Sequence, residues 1–448
     1  MINKNIKYSY SDLEILPSSI TTVKSRSECD VKCNSMLPIF TAPMDSVVDE
    51  HNYNVYKENG IIPIIHRNVS LEKRISFTKK GCWVAYSQEE YEKLFCDNNT
   101  DIYDDADNVL SVLIDTAVGH MSHIIESVPK AKDIALSKKH RLVVMYGNIA
   151  NPKTIEYYCK YGIDYARCSI GRGTCCITSS QTAIGCGNGS LIDETYTCRN
   201  LLYKRYIAEN PQKGLLHSLF KHFTKTHIIA DGGIRNFSDA IVALALGADY
   251  VMIGSVFGSF FESCADFVSS EAEKNKGMLL SINREKPNRE FMFAIPNNMS
   301  EAIAEYNKIA KDYDLPDLCM PRLNTSYILP DKMCTVVLTE SDMEYEELKR
   351  WIIKYITLKK SVHGMSTKEA QIGGIISRGN EVDVSKLKTS EGKTITVDVK
   401  YTIHQWVDNF TSYLKSAMSY TNCKKLSDFI GNVTLVVKSP GTMNTVNK

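Results

Sequence analysis

Two cysteines stand side by side in the stretch IGRGTCCITSSQT, residues 170–182. Cys175 and Cys176 are framed by Gly171 and Gly173 and followed by the hydroxyls of Thr178, Ser179, Ser180 and Thr182. Adjacent Cα atoms lie only ~3.8 Å apart, short of an unstrained disulfide, so the two thiols are not expected to bond to each other. The segment is too polar and too rich in glycine to be core. Either both residues are incidental small side chains, or one is a nucleophile, because a thiolate can attack an electrophilic carbon and hold it covalently. A free thiol with its pKa of ~8.5 is mostly protonated at neutral pH, so that role needs activation or close positioning. The residue types alone leave open which thiol acts.

The rest of the chain narrows the setting. It has 448 residues, 43% hydrophobic and 23% charged, with a formal net charge of +1. That composition is ordinary for a soluble globular protein, and it lacks the basic excess of a nucleic-acid binder. The first residues, MINKNIKYSYSDLEILP, carry no apolar signal-peptide core. No run approaches the ~18 apolar residues of a membrane span. A cytoplasmic protein without nucleic-acid or membrane partners is expected. The 14 cysteines are scattered with no CxxC pair, against a zinc site and in keeping with buried, reduced thiols.

The elements that must position the loop are legible as short apolar runs: 37–43, 60–66, 82–87, 109–115, 141–148, 165–170, 227–233 and 249–255. Helix-like stretches such as SQEEYEKLF, KTIEYYCKYG and SDAIVALALG alternate with them. Near-continuous apolar strands belong to a parallel sheet buried on both faces, and eight such units predict a (β/α)₈ TIM barrel. An open doubly wound sheet is the alternative, but no GxGxxG follows the first strand. The strand ends carry Asp45, Arg67, Asp115 and Thr116, Gly147 and Asn148, Asp231 to Gly233, and Gly254 with Ser255. A barrel gathers all of these on its catalytic face. Glycines after the last two strands let backbone N–H groups approach an anion, with helices expected just beyond. A phosphate site is predicted there.

The loop SIGRGTCCITSSQT (169–182) resembles that of the IMP dehydrogenase and GMP reductase superfamily. So do TAPMDSV (41–47), IIHRNVSLEKRISF (64–77), IDTAVGH (114–120), IADGGIRNFSDAIVALALGADYVMIGS (229–255), GMSTKEA (364–370) and TSEGKTITV (389–397). The resemblance implies Cys176 as the nucleophile that bonds to purine C2, and leaves Cys175 at a variable position. It covers about 10–264 and 362–440. Three features look like the reductase. No pair of regulatory modules interrupts ISFTKKGCWVAYS. The flap, IGGIISRGNEVDVSKLK, has Arg378 followed by glycine rather than tyrosine. SEGKT places Glu391 where dehydrogenases usually have glutamine. TAPMD, DTAVGH and the pair Thr182-Ala183 look as much like dehydrogenases.

The implied activity is NADPH-dependent reductive deamination of GMP to IMP and ammonia. Thr178 and Glu391 would form the ammonia relay. Asp231 would receive the ribose hydroxyls. Gly232, Gly233, Gly254 and Ser255 would hold the phosphate. Gly364, Met365, Ser366, Lys388, Ser390 and Gly392 would complete the nucleotide site. Asp115, Thr116, Gly119, Arg67 and Asn148 would meet the cofactor. Carbonyls of Gly171, Gly173 and Cys176 would bind a monovalent cation such as K+, although Arg172, in place of a family proline, sets a positive charge against it. Family members are usually homotetramers. The alternatives are an IMP dehydrogenase (IMP to XMP with NAD) lacking those modules, a non-catalytic purine-nucleotide-binding protein, and an enzyme for a modified purine nucleotide.

Two stretches lie outside the resemblance: 188–225, and 265–361 after the eighth strand. The second is too long to be a structureless loop. An inserted subdomain is expected, with an amphipathic helix in ELKRWIIKYITLKK and strands in PRLNTSYILPDKMCTVVLTE. The domain plan is thus a barrel over 1–264 with the cysteine loop at 168–187, the insert, and a flap with C-terminal segment over 362–448.

Overall fold

Eight short runs rich in Ile, Val, Leu and aromatic residues become parallel strands. They are Ile39–Thr41 (β1), Ile64–Ile65 (β2), Trp83–Tyr86 (β3), Val109–Asp115 (β4), Arg141–Ile149 (β5), Tyr165–Cys168 (β6), His227–Asp231 (β7) and Tyr250–Ile253 (β8). A computed structural model describes residues 6–98, 101–209, 222–268, 279–283, 290–296, 300–312, 333–339, 345–355, 358–377 and 381–439. Consecutive strands pair in parallel from β2 to β8, and β1 pairs with β8. A bridge between Phe40 and Ile62 joins β1 to the run leading into β2 and closes the ring. The fold is the (β/α)₈ barrel expected from the alternation.

Side chains divide along each strand with period two. Leu110, Val112 and Ile114 of β4 face the helix layer, while Leu113 faces the barrel axis. The axis is filled by Phe40, Ile64, Ala85, Leu113, Met145, Ile229, Tyr250 and Met252. Phe40, Trp83, Tyr165 and Tyr250 contact one another mostly edge-on or tilted, at 5.2–5.9 Å. This plug is a packed core rather than a pore. It leaves only the inward positions at the strand ends for chemistry.

The outer helices are Tyr53–Glu58 (α1), Leu71–Lys79 (α2), Gln88–Phe95 (α3), Ser122–Ser137 (α4), Thr154–Lys160 (α5), Asn188–Glu209 (α6), Phe237–Ala245 (α7) and Ile403–Tyr420 (α8). The last one covers β8 from far along the chain. Thr402 caps it by accepting from Gln405 N, and Gln405 returns the bond to Thr402 N. Ile403, Trp406, Phe410, Leu414 and Met418 form its buried stripe, at the spacing of one helical face. Trp406 packs on Phe257 and Phe260, 5.0 and 5.8 Å between ring centroids.

Everything between β8 and α8 is therefore an interruption of the eighth βα unit. It leaves on Asp266–Val268 and returns on Lys359–His363, which pair antiparallel, and Thr394–Asp398 adds a third strand. Beyond this stem lie an antiparallel sheet of Leu279–Asn283, Glu290–Pro296 and Met333–Thr339, and the helices Ser300–Asp312 and Glu346–Tyr355. Tyr306 and Trp351 pack between those helices, ring centroids 5.2 Å apart. Of the run expected as an amphipathic helix, 347–355 lies in Glu346–Tyr355, with Leu348, Trp351 and Ile352 buried, 356–357 lie outside the described residues, and Lys359 and Lys360 instead begin the returning strand. Of the strand-rich run, 333–339 is a strand and 321–332 lies outside the described residues. One pairing had no sequence signal: Leu13–Ile15 joins Leu435–Val437 antiparallel. Among the described residues no helix is long and apolar enough to cross a membrane.

Candidate active site

The cysteine loop leaves β6 and folds back over the mouth of the barrel. Gly171 has φ +70°, and a Cβ there would fall 2.5 Å from Ser179 Cβ, so only glycine fits this turn. Cys176 N then donates to Gly173 O at 2.9 Å. From Cys175 onward the backbone is paired with a segment more than two hundred residues away. Ile177 N donates to Glu391 O at 2.9 Å, Lys393 N donates to Cys175 O at 2.8 Å, and Cys176 faces Gly392 in an antiparallel bridge.

Extended backbone turns successive side chains to opposite faces, and this separates the two thiols. Cys175 packs with Ala265 and Val362 and is buried; its Sγ lies 3.8 Å from Val362 O. Burial pushes the Cys175 thiol up to about 11. Cys176 is half-buried on the other face. Its Sγ donates to Thr178 Oγ1 at 3.3 Å, and Thr178 Oγ1 donates to Glu391 Oε2 at 2.6 Å. Thiol, hydroxyl and carboxylate form one continuous hydrogen-bonded chain.

The strand returning from the insert supplies the wall beside this path. A Cβ on Gly364 would meet Cys175 Cβ at 3.4 Å, and one on Gly392 would crowd Thr367 Cγ2 at 2.9 Å. Ser390 Oγ lies 2.7 Å from Gly392 O and 3.2 Å from Ser366 O. Met365 is half-buried and Ser366 exposed. Gln371 fixes Lys388 by its backbone: Oε1 accepts from Lys388 N at 2.8 Å and Nε2 donates to Lys388 O at 3.2 Å. The Lys388 side chain is exposed. The flap begins within the helix Lys368–Ser377, which covers its residues 372–377, and Arg378 lies outside the described residues.

Across the mouth runs a chain of charges on the inward ends of β4, β6 and β7. Arg167 lies between two carboxylates, with NH1 2.6 Å from Asp115 Oδ1 and NH2 2.9 Å from Asp231 Oδ2. Arg67 Nε lies 3.2 Å from Asp115 Oδ2, and Asn148 Nδ2 donates to Asp231 Oδ2 at 2.6 Å. Two guanidinium groups balance two carboxylates. Burial opposes ionisation of Asp115, but the two arginines outweigh it and hold its carboxyl below the usual range. Asp231 Oδ1 receives no hydrogen bond from the described residues. Gly147 makes room for Arg167, since a Cβ there would sit 2.4 Å from Arg167 Cβ. Arg167 escaped the sequence reading; its signal was a charged residue inside an otherwise apolar strand.

The other predicted residues lie on the same rim. Gly232 and Gly233 have φ of +87° and +76°. A Cβ on Gly232 would touch Gly173 N at 3.2 Å, and one on Gly233 would collide with Asn188 Nδ2 at 2.3 Å. Asn188, also missed, ties the turn by donating to Gly232 O at 2.9 Å and accepting from Ser169 Oγ at 3.2 Å. Gly254 abuts Met44. The helices expected just beyond these glycines differ: α7 starts only at Phe237, capped by Asn236, and the one after Gly254 is the four-residue Ser255–Gly258. An anion here would be met by individual N–H and hydroxyl donors, because a single turn sums little dipole. The cation carbonyls are engaged internally, Gly171 O by Ser179 Oγ at 2.7 Å and Gly173 O by Cys176 N. Arg172 turns aside to donate to Cys186 O at 3.0 Å.

A further ion pair pins the returning strand to the end of β1. His363 Nε2 lies 2.9 Å from Asp45 Oδ1, and Asn68 Nδ2 bridges Asp45 Oδ2 and Ala370 O at 2.8 and 2.9 Å. The Asp45 carboxylate beside it raises the His363 pKa against the cost of burial, with Glu369 adding to it, while burial lowers that of His66. A raised histidine stabilises fully below its unfolded value of ~6.5 and loses that contribution as pH rises through the folded value. His363→Gln is therefore expected to lower Tm by roughly 1–3 °C at pH 6 and to leave it unchanged at pH 9, in thermal melts across that range. Equal losses at both ends would refute the ion pair.

Residues 7–282 match the family model described as the IMP dehydrogenase / GMP reductase domain. A protein of Clostridium acetobutylicum named GMP reductase is 30% identical over 285 residues, 60% of this chain and 76% of the relative. One of Bacillus licheniformis with the same name is 29% identical over 323 residues, 66% of this chain and 87% of the relative.

Proposed function

The chain belongs to the IMP dehydrogenase / GMP reductase family and is an oxidoreductase, and from that premise we propose that it converts GMP to IMP and ammonia with NADPH. The reading rests above all on the Cys176–Thr178–Glu391 chain. The Cys176 sulfur bonds to C2 of the base while its proton passes through the Thr178 hydroxyl to Glu391. Glu391 returns that proton to the amine, which departs as ammonia and leaves sulfur on C2. The reduced nicotinamide supplies the hydride that C2 accepts. Restoring the C2–N3 double bond then expels the sulfur as thiolate, which takes up a proton. A carboxylate with a hydroxyl relay suits ammonia loss, because the amine leaves only when protonated.

The nucleotide would be held by Asp231 at the ribose, through the Oδ1 that accepts from none of the described residues, and by the Gly232, Gly233, Gly254 and Ser255 donors at the phosphate. Gly364 to Ser366, Lys388, Ser390 and Gly392 would close over the base. The nicotinamide ribose would meet the Asp115 rim: a carboxylate held ionised by Arg67 and Arg167 could accept from a diol, and Thr116, Gly119 and Asn148 would complete the same ledge. The test compares GMP plus NADPH with IMP plus NAD on purified protein. Loss of NADPH absorbance with equimolar ammonia is expected in the first. NADH formation in the second would overturn the assignment.

A further inference from the structure

The loop that joins β4 to α4, residues 116–121, is propped from beneath by two tyrosines that take no part in the proton path. Tyr146 lies on the helix-facing side of β5, and Tyr158 lies on α5. Both side chains are fully buried. Their rings stack with centroids 5.5 Å apart and planes at 18°. The Tyr146 hydroxyl donates to Val118 O at 3.0 Å, and the Tyr158 hydroxyl donates to Gly119 O at 2.5 Å. Consecutive carbonyls of one loop are thus held by consecutive rings of one stack.

The upper side of the loop is held by backbone. Gly119 N donates to Asn148 O at 2.8 Å, and Asn148 N donates to Thr116 O at 3.0 Å. A Cβ on Gly119 would lie 2.8 Å from Asn148 O, so the loop already rests directly on the end of β5. Burial raises both phenols, Tyr146 to about 12, so each keeps its proton and donates at any working pH. A stacked pair resists tilting more than a single ring does. The height of the ledge carrying Thr116 and Gly119 is therefore set by two hydroxyls of fixed length.

We propose that Tyr146 and Tyr158 are positioning residues for the nicotinamide cofactor, holding the 116–119 ledge beside Asp115 so that the dinucleotide binds without first ordering the loop. This rests on the assignment of that ledge to the cofactor. The nucleotide contacts lie on the β6, β7 and β8 ends and the returning segment and meet the ledge through Asn148 and Arg167 at Asp231, so the larger effect falls on the cofactor.

The experiment uses the full chain with Tyr158→Phe, Tyr146→Phe and both together; each keeps its ring and removes one oxygen. KM for NADPH and for GMP are measured separately, with the equilibrium Kd of NADPH from its fluorescence. Each single variant is expected to raise KM and Kd for NADPH about fivefold, and the pair about 25-fold, with KM for GMP and kcat at saturating NADPH within twofold of the parent. Melting curves establish that the variants fold. A purely structural role would lower stability or kcat, or raise both KM values alike, and that result overturns the proposal. Unchanged NADPH constants in folded variants overturn it as well. If the parent chain itself neither binds nor oxidises NADPH, the ledge assignment falls and takes this inference with it, an outcome distinct from failure of the variants alone.

Discussion

Cys176→Ala is expected to lower GMP-dependent NADPH oxidation by about 10⁴-fold or more, as loss of a nucleophile does when the covalent route disappears. Cys175→Ala is expected to stay within a few-fold of the parent. The contrast follows from which way each thiol points. Cys175 faces Ala265 and Val362 with its pKa pushed up by burial, so it is neither accessible nor ionised. Its loss removes one sulfur from a small apolar cluster, roughly 1 kcal/mol of packing. Cys176 donates to Thr178, and through it reaches Glu391, along the proton path proposed above. That path also answers the activation problem posed by the loop. The thiol need not ionise beforehand, because the proton can leave along Thr178 as the carbon–sulfur bond forms. Incubation with GMP alone should form an adduct on Cys176 with release of one ammonia, detectable by mass on the corresponding peptide. An adduct on Cys175, or full activity in Cys176→Ala, would refute the assignment.

How much of this could be read before the structure divides along physical lines. The barrel was legible because buried parallel strands leave near-continuous apolar runs, and VLSVLID appears as a strand over the same residues, 109–115. The loop was legible because adjacent cysteines between glycines are unusual in so polar a segment, although the expectation that neither is core fails for Cys175, which packs with Ala265 and Val362. Long-range geometry was not. Nothing local in SEGKT shows that Glu391 O accepts from Ile177 N, or that Gly392 lies opposite Cys176. Arg167 escapes the sequence because YARCSI counts there as one more near-continuous apolar run, whereas its side chains alternate: Ala166 and Cys168 face the helices while the arginine points to the mouth. The tyrosine pair was invisible for a related reason. Aromatic residues in a strand and a short helix read as core, which they are, and only their hydroxyls reach the ledge. The late helix over β8 also required the structure, since an interrupted βα unit cannot be matched to its helix by spacing.

Glu391→Gln is expected to reduce turnover by about 10²- to 10⁴-fold, the range of a single general acid–base group, with ammonia release and NADPH oxidation falling together. Glutamine keeps the length of the side chain and an oxygen for the Thr178 hydroxyl, and the backbone pairing of 391 with 177 does not depend on the side chain. Stability should therefore change little, and the loss reports proton transfer. Thr178→Val removes the middle of the same path, so it should cost about as much as Glu391→Gln. The decisive comparison is the double variant. Two links of one path cannot be lost twice, so the double variant should be no slower than the worse single variant, as for residues that act as a unit. Losses that multiply would mean that hydroxyl and carboxylate act on different steps, and the single path from sulfur to amine would have to be abandoned. Losses that do not multiply, in variants that melt with the parent, would tie the 2.6 Å contact between Thr178 and Glu391 to the departure of ammonia.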